Sequence, residues 1–176
     1  MAIWDLADEL NHPMDFLLVQ NGFINLFHQQ AILDEAMSWL RNHRYRVVQV
    51  DAAAWQSRGG DLHQDLARAL DFPDYHGSNL AALNDCLSDV AVQTYGWTAM
   101  DTGLVLVIDG YETFESKDAS AAHHLLDIFA RQATYAALFG HRMMCLVRTG
   151  GDPELEIPPV GGLSVAWNHR EFLSAR

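Results

Sequence analysis

Five consecutive apolar residues, Leu104 to Ile108, run into Asp109-Gly110. A strand with one wet face alternates apolar and polar side chains. A strand without alternation is covered on both faces, as in parallel sheets sandwiched between helices. The turn dipeptide stops this run at strand length. Met143 to Val147 is a second apolar run and reads as the last core strand. Tyr45 to Val50 is rich in β-branched residues, alternates imperfectly, and reads as a third.

Helices to cover such strands are visible in the spacing. Ile32, Leu33, Ala36, Met37 and Leu40 recur at helical intervals and predict an amphipathic helix from about Gln29 to Asn42. After the break at Ser57-Arg58-Gly59-Gly60, Asp61 and Gln64 have the form of an N-cap and its reciprocal partner, predicting a helix over Leu62 to Leu70. Phe72-Pro73 ends it and Gly77 allows a tight bend. Ser78 or Asn79 can then cap a helix from Leu80 to about Val90. Ala122, Leu125, Leu126, Phe129 and Ala133 mark the buried side of a longer helix over Ala119 to Ala136. The order strand, helix, helix, strand, helix, strand predicts an α/β fold with a small parallel sheet packed on helices and joined by parallel crossovers. Before it, the stretch DFLLVQNGFINLF reads as a hairpin turning at Asn21-Gly22. Residues 1–44 therefore form a strand-or-hairpin plus helix extension that packs on the core, because the apolar helix face cannot stay in water. Residues 45–148 form the main domain. Residues 149–176 hold the Gly/Pro-rich loop TGGDPELEIPPVGG and then LSVAW, a possible edge strand.

Charge narrows the partners. With 23 Asp and Glu against 11 Lys and Arg, the formal net charge is -12, which repels nucleic-acid phosphates and anionic lipid surfaces and attracts cationic proteins. Direct nucleic-acid binding and membrane association are not expected. Cys86 and Cys145 lie far apart in apolar stretches without metal-ligand spacing and read as reduced core thiols. The start MAIWDLADEL lacks the basic segment and apolar run of a signal peptide, and no stretch approaches a membrane span, so a cytoplasmic location is expected.

Catalytic chemistry finds little support. LVLVID has the form of the apolar strand whose terminal acid holds magnesium in nucleotide hydrolases, but no GxxxxGK(S/T) loop accompanies it, so Asp109 reads as a strand-end residue. His123, His124, Asp127 and Arg131 read as an exposed, solvated helix side rather than a metal site. No GxSxG, HExxH or CxxC pattern occurs. No catalytic residue, metal or cofactor is expected.

The segment LHQDLARALDFPDYHGSNLAALNDCL, Leu62 to Leu87, resembles the barstar family. Leu62, His63, Leu66, Pro73, Tyr75, Gly77, Asn79, Leu80, Leu83, Asp85 and Leu87 stand in the register of its helix, Pro-acid-aromatic loop, Gly-x-Asn and Leu-rich acidic helix. The resemblance extends more weakly over Tyr45 to Val147. It implies a three-stranded parallel sheet on helices and inhibition of a microbial ribonuclease, a basic protein toxin, by the loop and second helix. The partner-binding residues it implies are Tyr75, Gly77, Asn79, Leu80, Ala81, Asn84, Asp85 and Asp89. Helical geometry agrees in part, since Leu83, Cys86, Leu87 and Val90 share one face with Leu80 while Ala81, Asp85 and Ser88 point away. Asp85 is the candidate mimic of the substrate phosphate, offering its carboxylate to cationic active-site groups. Tyr75 would supply rigid aromatic contact, and Asp74 and Asp89 steering charge. His63 reads as a surface or capping residue. Ala81 stands where the family has a further acid, Asn84 where barstar has a tryptophan, and Arg131 near an acidic position of the third helix. These departures keep open a barstar-fold interaction or regulatory module with a non-nuclease partner. An enzyme with its site at the strand ends near Asp109 is a third alternative.

Overall fold

The computed structural model describes residues 4–56, 60–74, 77–150 and 155–173. In chain order its elements are α1 (Leu6–Asn11), α2 (Met14–Val19), β1 (Ile24–Phe27), α3 (Gln30–Asn42), β2 (Arg46–Asp51), a 3-10 turn (Ala52–Ala54), α4 (Gly60–Ala69) and α5 (Leu80–Ala91). There follow β3 (Leu104–Asp109), α6 (Tyr111–Lys117), α7 (Ala119–Ala137), β4 (Met143–Arg148), β5 (Ala166–Trp167) and α8 (His169–Leu173).

The strands form one parallel sheet in the order β2-β3-β4-β1-β5. Leu104 to Ile108 are fully buried, as their lack of alternation requires. Their alternate side chains feed two separate cores. Leu104, Leu106 and Ile108 pack with Leu62 and Leu66 of α4, Leu83 and Leu87 of α5, and Leu125 and Phe129 of α7. On the other face Val105 and Val107 pack with Leu33, Met37 and Leu40 of α3. Cys86 and Cys145 are free and buried, and burial pushes the Cys145 thiol far above its ordinary pKa.

The described sheet has five strands, three of them those the resemblance implies and the others from the flanking segments, including the possible edge strand. β2, β3 and β4 make the three-stranded core, and β1 adds to it by pairing with β4, Ile24 opposite Cys145. β5 then pairs with β1 at the edge, placing the strand in LSVAW at Ala166–Trp167.

The hairpin is corrected. Its first arm is α2, because Met14 and Leu18 stand at i,i+4 and Asp15 and Leu18 are buried together, while the second arm is a strand buried at all four positions inside the sheet. Asn21-Gly22 joins helix to strand instead: Gly22 donates to the Val19 carbonyl (3.1 Å) at φ 138°, open to glycine and not to L side chains. Asp61 is also corrected. The helix begins at Gly60, two residues before the expected Leu62, so Asp61 lies in its first turn and accepts the Gln56 amide (3.3 Å). Ser57 to Gly59, read as a chain break, lie outside the described residues.

One buried polar cluster ties α2 to the sheet. Asp15, 4% exposed, accepts bonds from the Tyr45 hydroxyl and from Arg142 Nη1 (2.9 Å), and the Arg142 guanidinium lies 3.5 Å from the centre of the Trp4 ring. Burial, followed by the adjacent Asp15, raises the Tyr45 phenol well above its usual pKa, and burial does the same to Tyr111. Unfolded tyrosines ionise near pH 10 while these stay protonated, so their contribution is complete below about pH 10 and is lost as pH rises further. Urea midpoints are expected to fall steeply above that pH, and Tyr111→Phe, which removes one such group, to flatten the fall. An unchanged slope in that variant would refute the assignment.

Candidate functional site

The loop and helix singled out by the sequence are built from a cap and a buried stripe. Asn79 is the N-cap of α5, its Oδ1 accepting from the Ala82 amide (2.9 Å), which fixes where the helix starts. Ser78 does not cap it. Leu83, Cys86, Leu87 and Val90 are buried against the sheet. Ala81 and Asp85 consequently face solvent, and α5 contains no basic residue. Among the described residues no salt bridge engages Asp85. The carboxylate is thus carried on a rigid, packed helix and stays open to a partner.

The other sequence candidates divide. Gly77 is exposed, and a Cβ there would sit 3.0 Å from Ala82 Cβ, so the bend packs tightly on the first turn of α5. Leu80 is half-buried and packs on the core, giving only part of its surface to the outside. Asn84 is half-buried and accepts a bond from Gln132 Nε2 of α7 (2.9 Å), which turns its amide toward the neighbouring helix. Asp89 is exposed and accepts a longer bond from the Tyr95 hydroxyl (3.4 Å), which also donates to the Cys86 carbonyl (3.0 Å). Burial, with Cys86 and Asp89 adding to it, raises the Tyr95 phenol, so it remains a donor to Asp89. Tyr75 lies outside the described residues; Asp74 is exposed.

Beside the α5 N-terminus runs a groove of about 420 Å³ between Leu62, His63, Ser78, Leu80, Asp118 and Ala121. It joins the loop-helix surface to the start of α7, a contribution the sequence reading missed because Asp118 lies about forty residues from the loop. Asp118 Oδ1 caps α7 through the Ala121 amide (3.0 Å), so an acid at that position carries a structural signal. His63 is 4% exposed, which corrects its surface reading: its place on the inner side of α4 between Leu62 and Leu66 buries the ring. Another hollow, about 780 Å³, is lined by residues between Leu155 and Trp167 and shares none of the groove's lining.

The outer side of α7 is less solvated than expected, because the C-terminal loop lies on it. His123 Nε2 meets the Pro159 carbonyl (3.1 Å) and Asp127 accepts the Gly161 amide (2.8 Å). Arg131, exposed, pairs with Asp127 (2.9 Å), which partly neutralises the reversed charge. Among the described residues no group of His, Cys, Asp or Glu is arranged to hold a metal.

At the strand ends, Asp109 accepts from Gln49 Nε2 and lies 3.8 Å from Arg148. The turn from β1 into α3, where exposed backbone amides favour an anion, is filled from within: Glu171 of α8 accepts the His28 (2.9 Å) and Gln29 (3.1 Å) amides.

The family model for barstar, the barnase inhibitor, matches residues 45–148. The chain belongs to the barstar family. The barstar match runs from the start of β2 to the end of β4 and includes α4, α5 and the loop between them. A Bacillus subtilis (strain 168) protein named "Putative ribonuclease inhibitor YrdF" is 42% identical over 67 residues, 38% of this chain, and the chain spans 64% of that curated relative. Among solved structures, a chain in the Drosophila ORC bound to AT-rich DNA and Cdc6 superposes with a TM-score of 0.51 at 15% identity, covering 78% of this barstar-family chain and 43% of the other. At that identity the likeness concerns the fold alone. No described helix is long and apolar enough to cross a membrane.

Proposed function

We propose that this protein is an immunity protein, an inhibitor that blocks the active site of a basic ribonuclease toxin with the acidic surface formed by the 74–79 loop and α5. The observation that carries the reading is Asp85: a solvent-facing carboxylate on a helix locked by five buried residues, in a chain of net charge -12 and of barnase-inhibitor family. A nuclease that holds a phosphate between cationic side chains would accept this carboxylate in its place, through charge-assisted hydrogen bonds prepared in advance by the helix. Gly77, Asn79 and Ala81 would shape the contact around it, Tyr75 and the exposed part of Leu80 would add area, and Asp74 and Asp89 would steer. The protein supplies no catalytic group, binds no nucleic acid directly, and acts in the bacterial cytoplasm.

The test is titration of the purified chain into a basic ribonuclease, first the native partner captured from the source cell. Ribonuclease activity should fall to zero at equimolar inhibitor. The association rate should drop about tenfold or more between low and high salt, because attraction between opposite net charges is screened. An acidic partner, or an on-rate indifferent to ionic strength, would overturn the acidic surface as the binding device. Ala81 and the Arg131 reversal favour a second reading, a regulatory module for a non-nuclease partner. Capture of such a protein on the same face, with no effect on ribonuclease activity, would establish it.

A further inference from the structure

The short strand β5 closes one side of the described sheet and pairs there with β1. Leu26 lies opposite Trp167 and accepts the Asn168 amide (2.8 Å). Ala166 and Asn168 therefore turn their backbone groups to β1, and Trp167 turns its amide and carbonyl to the outer edge. Among the described residues no hydrogen bond reaches Trp167 on that side. An unpaired edge of this kind is a template for another extended chain. Beside it lies the hollow of about 780 Å³ between Leu155 and Trp167. One wall carries Val165 and Trp167, two residues apart and so on one side of the strand. The other is the 155–159 segment, with Leu155 and Ile157 at the same spacing. All four side chains pack partly buried on the main core, so the apolar lining is preformed. The second wall is fixed to α7 through the bonds of His123 to Pro159 and of Asp127 to Gly161. A strand added to β5 would point every second side chain into this groove. Among the described residues the one charged member of the lining is Glu156, exposed and without a salt bridge.

We propose that this groove binds an extended peptide segment of a cationic protein by strand addition to β5. Alternate apolar side chains would lie on Leu155, Ile157, Val165 and Trp167, with a lysine or arginine at Glu156. Three observations choose that occupant. The unpaired backbone of Trp167 takes an extended chain, the two apolar rows take alternate side chains, and Glu156 in a chain of net charge -12 takes a cation. A second copy of this acidic chain meets the last condition poorly. The groove's lining lies outside the 45–148 match and shares no residue with the loop-helix surface, so its occupancy does not depend on the inhibitory reading.

The end-capped peptide KVKVKV titrated into the full chain, followed by amide and methyl NMR, provides the test. The Ile157, Val165 and Trp167 signals should shift saturably. EVEVEV should bind at least about tenfold more weakly, and Glu156→Lys should remove that preference. KSKSKS keeps the charge, loses the apolar side chains and should not bind. Of two KVKVKV peptides N-methylated at alternate amides, one should lose binding and the other keep it, because one set of amides faces β5 and the other faces away. Trp167→Ala should abolish the saturable shifts; if that variant does not fold, Val165→Thr, which puts a hydroxyl into the apolar row, should weaken binding. Equal affinity for EVEVEV, a preference unchanged in Glu156→Lys, loss of binding in both methylated peptides or in neither, shifts scattered over the protein, or absence of saturable shifts would overturn the proposal. A concentration-dependent dimer of the free chain that excludes the peptide would also overturn it, by assigning the edge to a second copy.

Discussion

Asp15→Ala is expected to cost about 3 to 5 kcal/mol of folding stability, the usual result of removing one partner from a buried ion pair. Asp15 and Arg142 have side chains only 6% and 10% exposed and are joined at 2.9 Å, with the Tyr45 hydroxyl on the same carboxylate. Without Asp15, the guanidinium loses its 2.9 Å carboxylate partner, and the Asp8 carboxylate stands farther off at 3.8 Å. In a chain of this length the melting temperature should fall by about 10 °C. The effect belongs to the uncompensated charge. Asp15→Leu combined with Arg142→Met, an apolar pair of similar volume, should therefore recover most of the loss. Urea denaturation of wild type, single and double variants decides it. A single-variant loss under about 1 kcal/mol, or a double variant no better than the single, would show that the cluster does not fasten α2 to the sheet.

This cluster marks where the sequence stopped being legible. Helices with a full apolar stripe were readable almost to the residue: α3 is Gln30–Asn42 where the spacing predicts Gln29 to Asn42, and α7 is Ala119–Ala137 where it predicts Ala119 to Ala136. Each has enough turns for the 3.6-residue period to repeat. α6, seven residues long, offers one buried i,i+3 pair, Tyr111 and Phe114, and starts at Gly110 without a side-chain cap, so no local signal separates it from a turn. α1 has a reciprocal cap between Asp5 and Asp8 but buries nothing, so its capping signal had no apolar face to support it. The place of β1 between β4 and β5 was beyond any local reading. That strand pairs with residues more than a hundred positions away, and its four buried side chains are equally consistent with several positions in a sheet.

For the candidate surface, the period of α5 was enough to predict which side of Asp85 meets solvent, because Leu83, Cys86, Leu87 and Val90 determine the rotation of the helix. Side chains at the border of that stripe were less readable. Leu80 and Asn84 lie between the buried and exposed faces, and only the approach of α7 decides that Asn84 turns to Gln132. His63 shows the same limit: a polar residue between two buried leucines reads as surface until the fold closes over it.

The largest effect on binding is expected at Asp85. Asp85→Ala should weaken the complex with the native partner by roughly 2 to 5 kcal/mol, the usual penalty for truncating one member of a desolvated charge pair. Folding stability should change by less than about 0.5 kcal/mol, as for other exposed positions without core contacts. The two numbers part because the side chain is exposed in the free protein, whereas in the complex its removal would leave cationic groups of the nuclease buried without a counter-charge. Ala81→Asp restores, one turn earlier on the same exposed side of α5, the second acid of the family pattern. If the nuclease is barnase-like, that variant should bind more tightly than wild type; Asp85→Asn, which keeps the shape and loses the charge, should retain only a minor part of the affinity. Calorimetric binding and urea denaturation of the same samples separate the possibilities. Unchanged affinity in Asp85→Ala, or a loss matched by unfolding, would mean that α5 is not the inhibitory surface and that this chain has kept the barstar framework for a partner met elsewhere on the molecule.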